Sequence, residues 1–197
     1  FEIFCRADSF DGEEDTIQLL KQAGLTSALV GLESAKQRGL DIISKTTTVQ
    51  QNISTLQLFK KYNIITSSSG FLMFNPYSEI PDLIDNANFL IEIGQATIYN
   101  MSLKVLLYPG IRITDIIRTK GLIEADFSHF KVNRYRFVNS KVAKIAESIN
   151  SIDIGIIKRE DATLRYLDLT IARIKDMIGT NGSASRESQE LNSLLRP

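Results

Sequence analysis

The 197-residue chain has one cysteine, one histidine and no excess of either charge sign. A single thiol, Cys5, excludes a disulfide framework, and it excludes a zinc or iron–sulfur site built from this chain's thiols alone. It also makes a reducing, cytoplasmic compartment the easier reading. With 23 basic and 23 acidic residues, no broad basic surface is expected, so nucleic acid is not an expected partner. Apolar runs are all too short to cross a bilayer, so no membrane is expected either. The sequence opens on FEIFC, already strand-like, with no charged segment ahead of an apolar stretch. That opening reads as the back portion of a longer polypeptide, whose preceding part is then an expected partner.

What is present is an alternation of short apolar runs with longer stretches of helical period. Residues 1–6, 27–32, 64–74 and 96–108 read as strands. Residues 12–23, 35–44, 48–62, 80–93 and 113–118 read as helices, with Gly24, Gly94 and Gly121 as stops. Run 27–32 is almost wholly apolar, as a strand buried on both faces is. This β-α-β-α order predicts an α/β fold with a parallel sheet of about four βα units, too few to close a complete eight-unit barrel. After residue 122 the pattern changes. A brief extended piece at 135–138 precedes helical patterns over 141–149 and 161–178, an expected helical extension spanning 123–178. Residues 179–197, rich in Ser, Asn and Gly, read as a disordered tail.

In parallel α/β folds, ligands gather beyond the carboxyl ends of the strands. Here those ends carry Arg6 and Asp8, then Glu33 and Ser34, then Asn75 and Tyr77, then Tyr108 with Pro109-Gly110. These are the candidate site residues. Ser34 has an equally simple local role, accepting a backbone N–H where a helix begins. His129 lacks carboxylate or thiol neighbours in sequence and reads as non-catalytic, and Cys5 reads as a structural thiol. No phosphate-cradling GxxxxGK[ST], HExxH or GxSxG pattern occurs.

In order, the chain shows RAD at 6–8, QAG at 22–24, VGLES at 30–34 and LDIISKTTT at 40–48. FLMFNPYS follows at 71–78, PGIRI at 109–113, GL at 121–122 and YRF at 135–137. This collinear set resembles the C-terminal part of radical S-adenosylmethionine (SAM) enzymes, the group whose members often carry a cobalamin-binding domain. Asn75 stands where that family often has Asp, and Ile111 where it often has Thr. The family's CxxxCxxC loop, which holds a four-iron, four-sulfur cluster, does not occur in these residues.

The resemblance implies a partial (β/α) barrel of the radical SAM type over residues 1–122, about four units of a six-stranded partial barrel. Its cofactors would be SAM, a 4Fe–4S cluster with ligands outside this chain, and cobalamin, also bound outside it, in the cobalamin-associated members. It further implies that Glu33 or Ser34 meets the SAM ribose and that Lys45 meets the SAM carboxylate. Arg6 would line the same cavity, Leu72 would flank the adenine, and Asn75 would lie at the rim. The activity implied is cleavage of SAM to a 5′-deoxyadenosyl radical that attacks a small-molecule or peptide substrate, which the sequence does not specify. Two other readings are a non-catalytic α/β binding module, and a lyase or aldolase using Lys45 or Lys104 as an imine-forming amine.

Overall fold

The computed structural model describes residues 1–67, 70–124, 134–153, 155–159, 162–164, 166–167, 170–171 and 174. His129, Ser68–Ser69, the tail 179–197 and much of the expected 161–178 helix lie outside the described residues.

Three strands, β1 (Glu2–Arg6), β2 (Ser27–Gly31) and β3 (Ile65–Ser67), form a parallel sheet in the order β1-β2-β3. Their register pairs Phe4 with Leu29, Arg6 with Gly31, and Leu29 with Ser67. One face of β2 presents Ala28 and Val30, which are fully buried with Ile17, Leu25 and Phe59 in the main core. On the edge strand β1, Ile3 and Cys5 turn toward that core, whereas Phe4 is 75% exposed.

Helices α1 (Glu14–Gln22), α2 (Gln37–Ile42), α3 (Val49–Lys61), α4 (Ile80–Glu92), α5 (Ile98–Ser102), α6 (Arg112–Thr119) and α7 (Ser140–Asn150) connect and flank the strands. Several end in the same reverse turn. The residue two past the C-cap is bound back to the helix, as in Leu25 N to Leu20 O and Gln95 N to Leu90 O, both through a left-handed glycine. Helix α2 makes that turn without glycine: Ser44 takes φ 58°, and the Lys45 N–H donates to Leu40 O at 2.9 Å. At the start of α3, Thr48 and Gln51 form a reciprocal capping box.

Two expectations change. Among the described residues, the strand read over 64–74 covers Ile65–Ser67, and Phe74 makes an isolated parallel bridge to Lys104. Much of the strand read over 96–108 is instead helix α5. Thr97 caps it by accepting the Asn100 N–H, and the Asn100 side chain donates to Gln95 O, so local side chains satisfy backbone groups that a strand would pair across a sheet. Farther along, Val142 and Ala146 of α7 pack with Met73, Phe74 and Leu83. Among the described residues, no helix is long and apolar enough to cross a membrane.

Candidate functional site

At the carboxyl ends of β1 and β2 the chain assembles two charge pairs. Arg6 forks onto Asp8, with Nε 2.8 Å from Oδ1 and Nη2 2.7 Å from Oδ2. The same Nη2 donates to Thr46 Oγ1 at 2.6 Å. Beside it, Lys45 Nζ donates to Glu33 Oε1 at 2.9 Å, and both side chains are largely shielded from solvent.

The two pairs sense each other. The hydrogen bond to Asp8 holds the Arg6 guanidinium above its usual pKa, and Glu33 adds to the effect. The hydrogen bond from Arg6 holds the Asp8 carboxyl below the usual aspartate range, and Lys45 contributes.

Local geometry explains how these groups arrive together. Gly31 ends β2 directly beneath the second pair: a Cβ there would lie 3.1 Å from both Glu33 Oε1 and Lys45 Nζ. Gly70 also lies close to that carboxylate, where a Cβ would make ordinary contact at 3.8 Å from Glu33 Oε2. Glu33 itself sits at φ 63°, a left-handed conformation that costs a non-glycine residue about 1 kcal/mol or more.

The surroundings fix that conformation. The Leu72 N–H donates to Glu33 O at 2.8 Å, and Asn52 of α3 donates its side-chain amide to Leu32 O at 2.8 Å. Thr55, one turn farther along α3, donates to Ala7 O. One helix thus pins the loops that follow both strands. The Schellman turn at Ser44 then redirects the chain so that Lys45 returns to the rim.

The Glu33–Lys45 pair, the Arg6 guanidinium that senses Glu33, and the Leu72 N–H bound to Glu33 O thus gather at one edge, Arg6 and Glu33 named by the strand-end pattern and Lys45 and Leu72 by the resemblance. Ser34 does not face them. It is buried, accepts the Lys36 N–H at 3.1 Å, and lies 3.4 Å from Asn86 Oδ1, which also accepts the Ala35 N–H. Asn75 is likewise occupied, its Oδ1 closing a turn onto the Tyr77 N–H at 2.9 Å. Thr46, Asn52 and Asn86 were not singled out from the sequence. Only Thr46 had a visible signal, its place beside Lys45 in KTTT.

Lys45, engaged by Glu33, is not the free amine that an imine mechanism needs. Lys104 lines a cavity to which no rim residue contributes. Burial pushes the Cys5 thiol up to about 11, so it stays protonated near neutral pH. One protonated thiol does not fit a 4Fe–4S cluster, which takes its cysteine ligands as thiolates. By contrast, a carboxylate and an ammonium side by side over a glycine fit the hydroxyls and the amino-acid end of SAM.

A parallel βα sheet with polar groups gathered at its carboxyl edge makes this an α/β fold, and in such folds that edge is where ligands gather. More particularly, its fold is similar to part of a solved radical SAM enzyme. The structure of the cobalamin-dependent S-adenosylmethionine radical enzyme OxsB with aqua-cobalamin and S-adenosylmethionine bound matches it with a TM-score of 0.63 and 16% identity, over 98% of this chain and 36% of that one. OxsB with aqua-cobalamin alone gives the same score over 98% and 37%.

In sequence, the anaerobic magnesium-protoporphyrin IX monomethyl ester cyclase of Rubrivivax gelatinosus is 38% identical over 56 residues, which is 28% of this chain and 10% of that protein. The chain thus spans little more than a third of the solved structures it matches and a tenth of the curated relative. No family model matches the sequence.

Proposed function

We propose that this chain is the SAM-binding, substrate-facing part of a radical SAM enzyme. The observation that carries the reading is the Glu33–Lys45 pair, packed over the bare backbone of Gly31 at the sheet's carboxyl edge. Lys45 would bind the SAM carboxylate, a charge-assisted contact strengthened by its shielding from water. The Glu33 carboxylate has lone pairs left to accept the ribose hydroxyls, and the backbone at Leu72, hydrogen-bonded to Glu33 O, would flank the adenine. Arg6, paired with Asp8, would line the same cavity and exchange that partner for the carboxylate of the substrate. Ser34 and Asn75 take a supporting part, shaping the loops that carry Glu33 and Leu72.

When bound against a reduced cluster, SAM supplies an adenosyl radical for hydrogen abstraction. The residues described here bind and orient it, and they exclude water. We infer that the cluster's thiolates, and cobalamin where it is used, belong to parts of the enzyme outside these 197 residues, and that the whole works in a reducing cytoplasm.

The single thiol equally suits a non-catalytic module that retains the fold. Calorimetric titration of SAM into the chain separates the two readings. Glu33→Ala and Lys45→Ala should each weaken SAM binding by about tenfold or more, the worth of one charge-assisted contact. Unchanged affinity in both variants, or no SAM binding by the parent chain, would remove the proposal in favour of the module.

A further inference from the structure

Away from the rim, a cavity of about 310 Å³ opens between α5, the segment that follows it and the end of α7. Leu106 and Ile157 line it with three further aliphatic side chains, and Tyr99, Ser102 and Asn150 add polar groups. Among the described residues of its wall, Lys104 is the charged one. No residue of the rim contributes to it.

Lys104 is held in place by its backbone, since Phe74 N donates to Leu103 O and Val105 N to Phe74 O on either side of it. Its ammonium lies 5.8 Å from the centre of the Phe137 ring. Among the described residues it has no carboxylate partner. Burial pushes its pKa down. A half-buried cation in the wall of a largely aliphatic cavity, with no carboxylate partner among the described residues, is a cost to the fold. An anion entering the chamber would relieve it.

We propose that this cavity binds the carboxylate of a small apolar acid, with Lys104 as its counter-ion. A monoanion matches one ammonium, whereas a phosphate dianion would bring a second charge into an aliphatic wall. The volume suits a body on the order of ten non-hydrogen atoms, taking about 30 Å³ for each water-sized piece. Because Lys104 loses its charge at a lower pH than an exposed lysine, affinity falls as pH rises through its folded pKa.

Benzoate titrated into the full chain, at constant ionic strength and without SAM or cluster, tests the proposal apart from the proposed function. Benzoate should bind saturably, and neutral benzamide about tenfold or more weaker. Lys104→Met should lose that difference and Lys104→Arg should keep it. Leu106→Phe, which fills the chamber and leaves the charge, should weaken both ligands. In NMR of the dimethylated lysines, benzoate should move the Lys104 titration upward, which a purely structural role for this residue would not produce. Equal affinity for benzoate and benzamide, an unchanged Lys104→Met, or no saturation below about 100 mM would overturn it.

Discussion

At the carboxyl edge of β1 and β2, Arg6 answers Asp8 and Lys45 answers Glu33. In the cavity beside α5, Lys104 has an aromatic ring for company and, among the described residues, no acid. Both regions carry lysines shielded from water, yet they solve the cost of shielding in opposite ways. The rim keeps its charges in pairs, a balanced set that a zwitterionic ligand can enter by exchanging partners. The cavity leaves one charge unbalanced, which favours a ligand of the opposite sign and gives it nothing to displace. A partnered charge is therefore weak evidence for stability and better evidence for a site ready to exchange partners, whereas an unpartnered one is evidence of something still to be bound.

The largest expected effect falls on the support of the rim. A Cβ on Gly39 would lie 2.2 Å from Ser34 Oγ and 2.8 Å from its Cβ, and Ser34 is buried against Asn86. Gly39→Ala should destabilise the chain by about 2 kcal/mol, as overpacking does, despite the gain in helix propensity. An unchanged denaturant midpoint would mean that the loop after β2 yields freely.

Next, Gly31→Ala pushes a methyl between Glu33 and Lys45. SAM affinity should drop severalfold while the thermal midpoint moves by no more than about 2 °C. A large loss of stability instead would recast the pair as structural.

The cavity should respond in the other direction. Lys104→Met removes an uncompensated cation, so the midpoint should rise by about 1–3 °C at pH 7. Because the folded pKa of this lysine is depressed, the parent's penalty is full below that folded value and disappears as pH rises toward the unfolded lysine value of about 10.4. The advantage of Lys104→Met should therefore shrink as pH climbs through that window. A falling midpoint would show that the contact with Phe137 outweighs the desolvation.

The smallest effect belongs to Asp8. Its folded pKa is depressed, so its contribution is present above the unfolded value of about 3.9 and lost as pH falls through the folded one. Asp8→Asn should flatten that last acid-side decline in an unfolding series, and a parallel decline in both proteins would detach Asp8 from it.

Much of this architecture was legible in advance because it is written in short-range patterns. The buried run 27–32, the helix stop at Gly24 and the helical period over 48–62 each announce themselves within a few residues. The strand-end rule then nominated Arg6 and Glu33, and the resemblance added Lys45. The reading of 96–108 as a strand failed because Thr97 and Asn100 satisfy the backbone locally, and hydrophobic content alone does not register that. Ser34 was assigned to the rim because it follows Glu33, yet the left-handed turn at Glu33 sends the two side chains different ways.

The order of elements, their parallel pairing and the placement of charges at strand ends followed from periodicity, turn chemistry and chain direction, all of which act between near neighbours. Which side chains finally meet was decided only in three dimensions. Asn52 and Leu72, distant in sequence, hold Glu33 in its strained conformation, and the Lys104 chamber exists only where residues 99–106 face residues 149–157. Such contacts arise from packing between remote segments, and no local pattern encodes the distance between them.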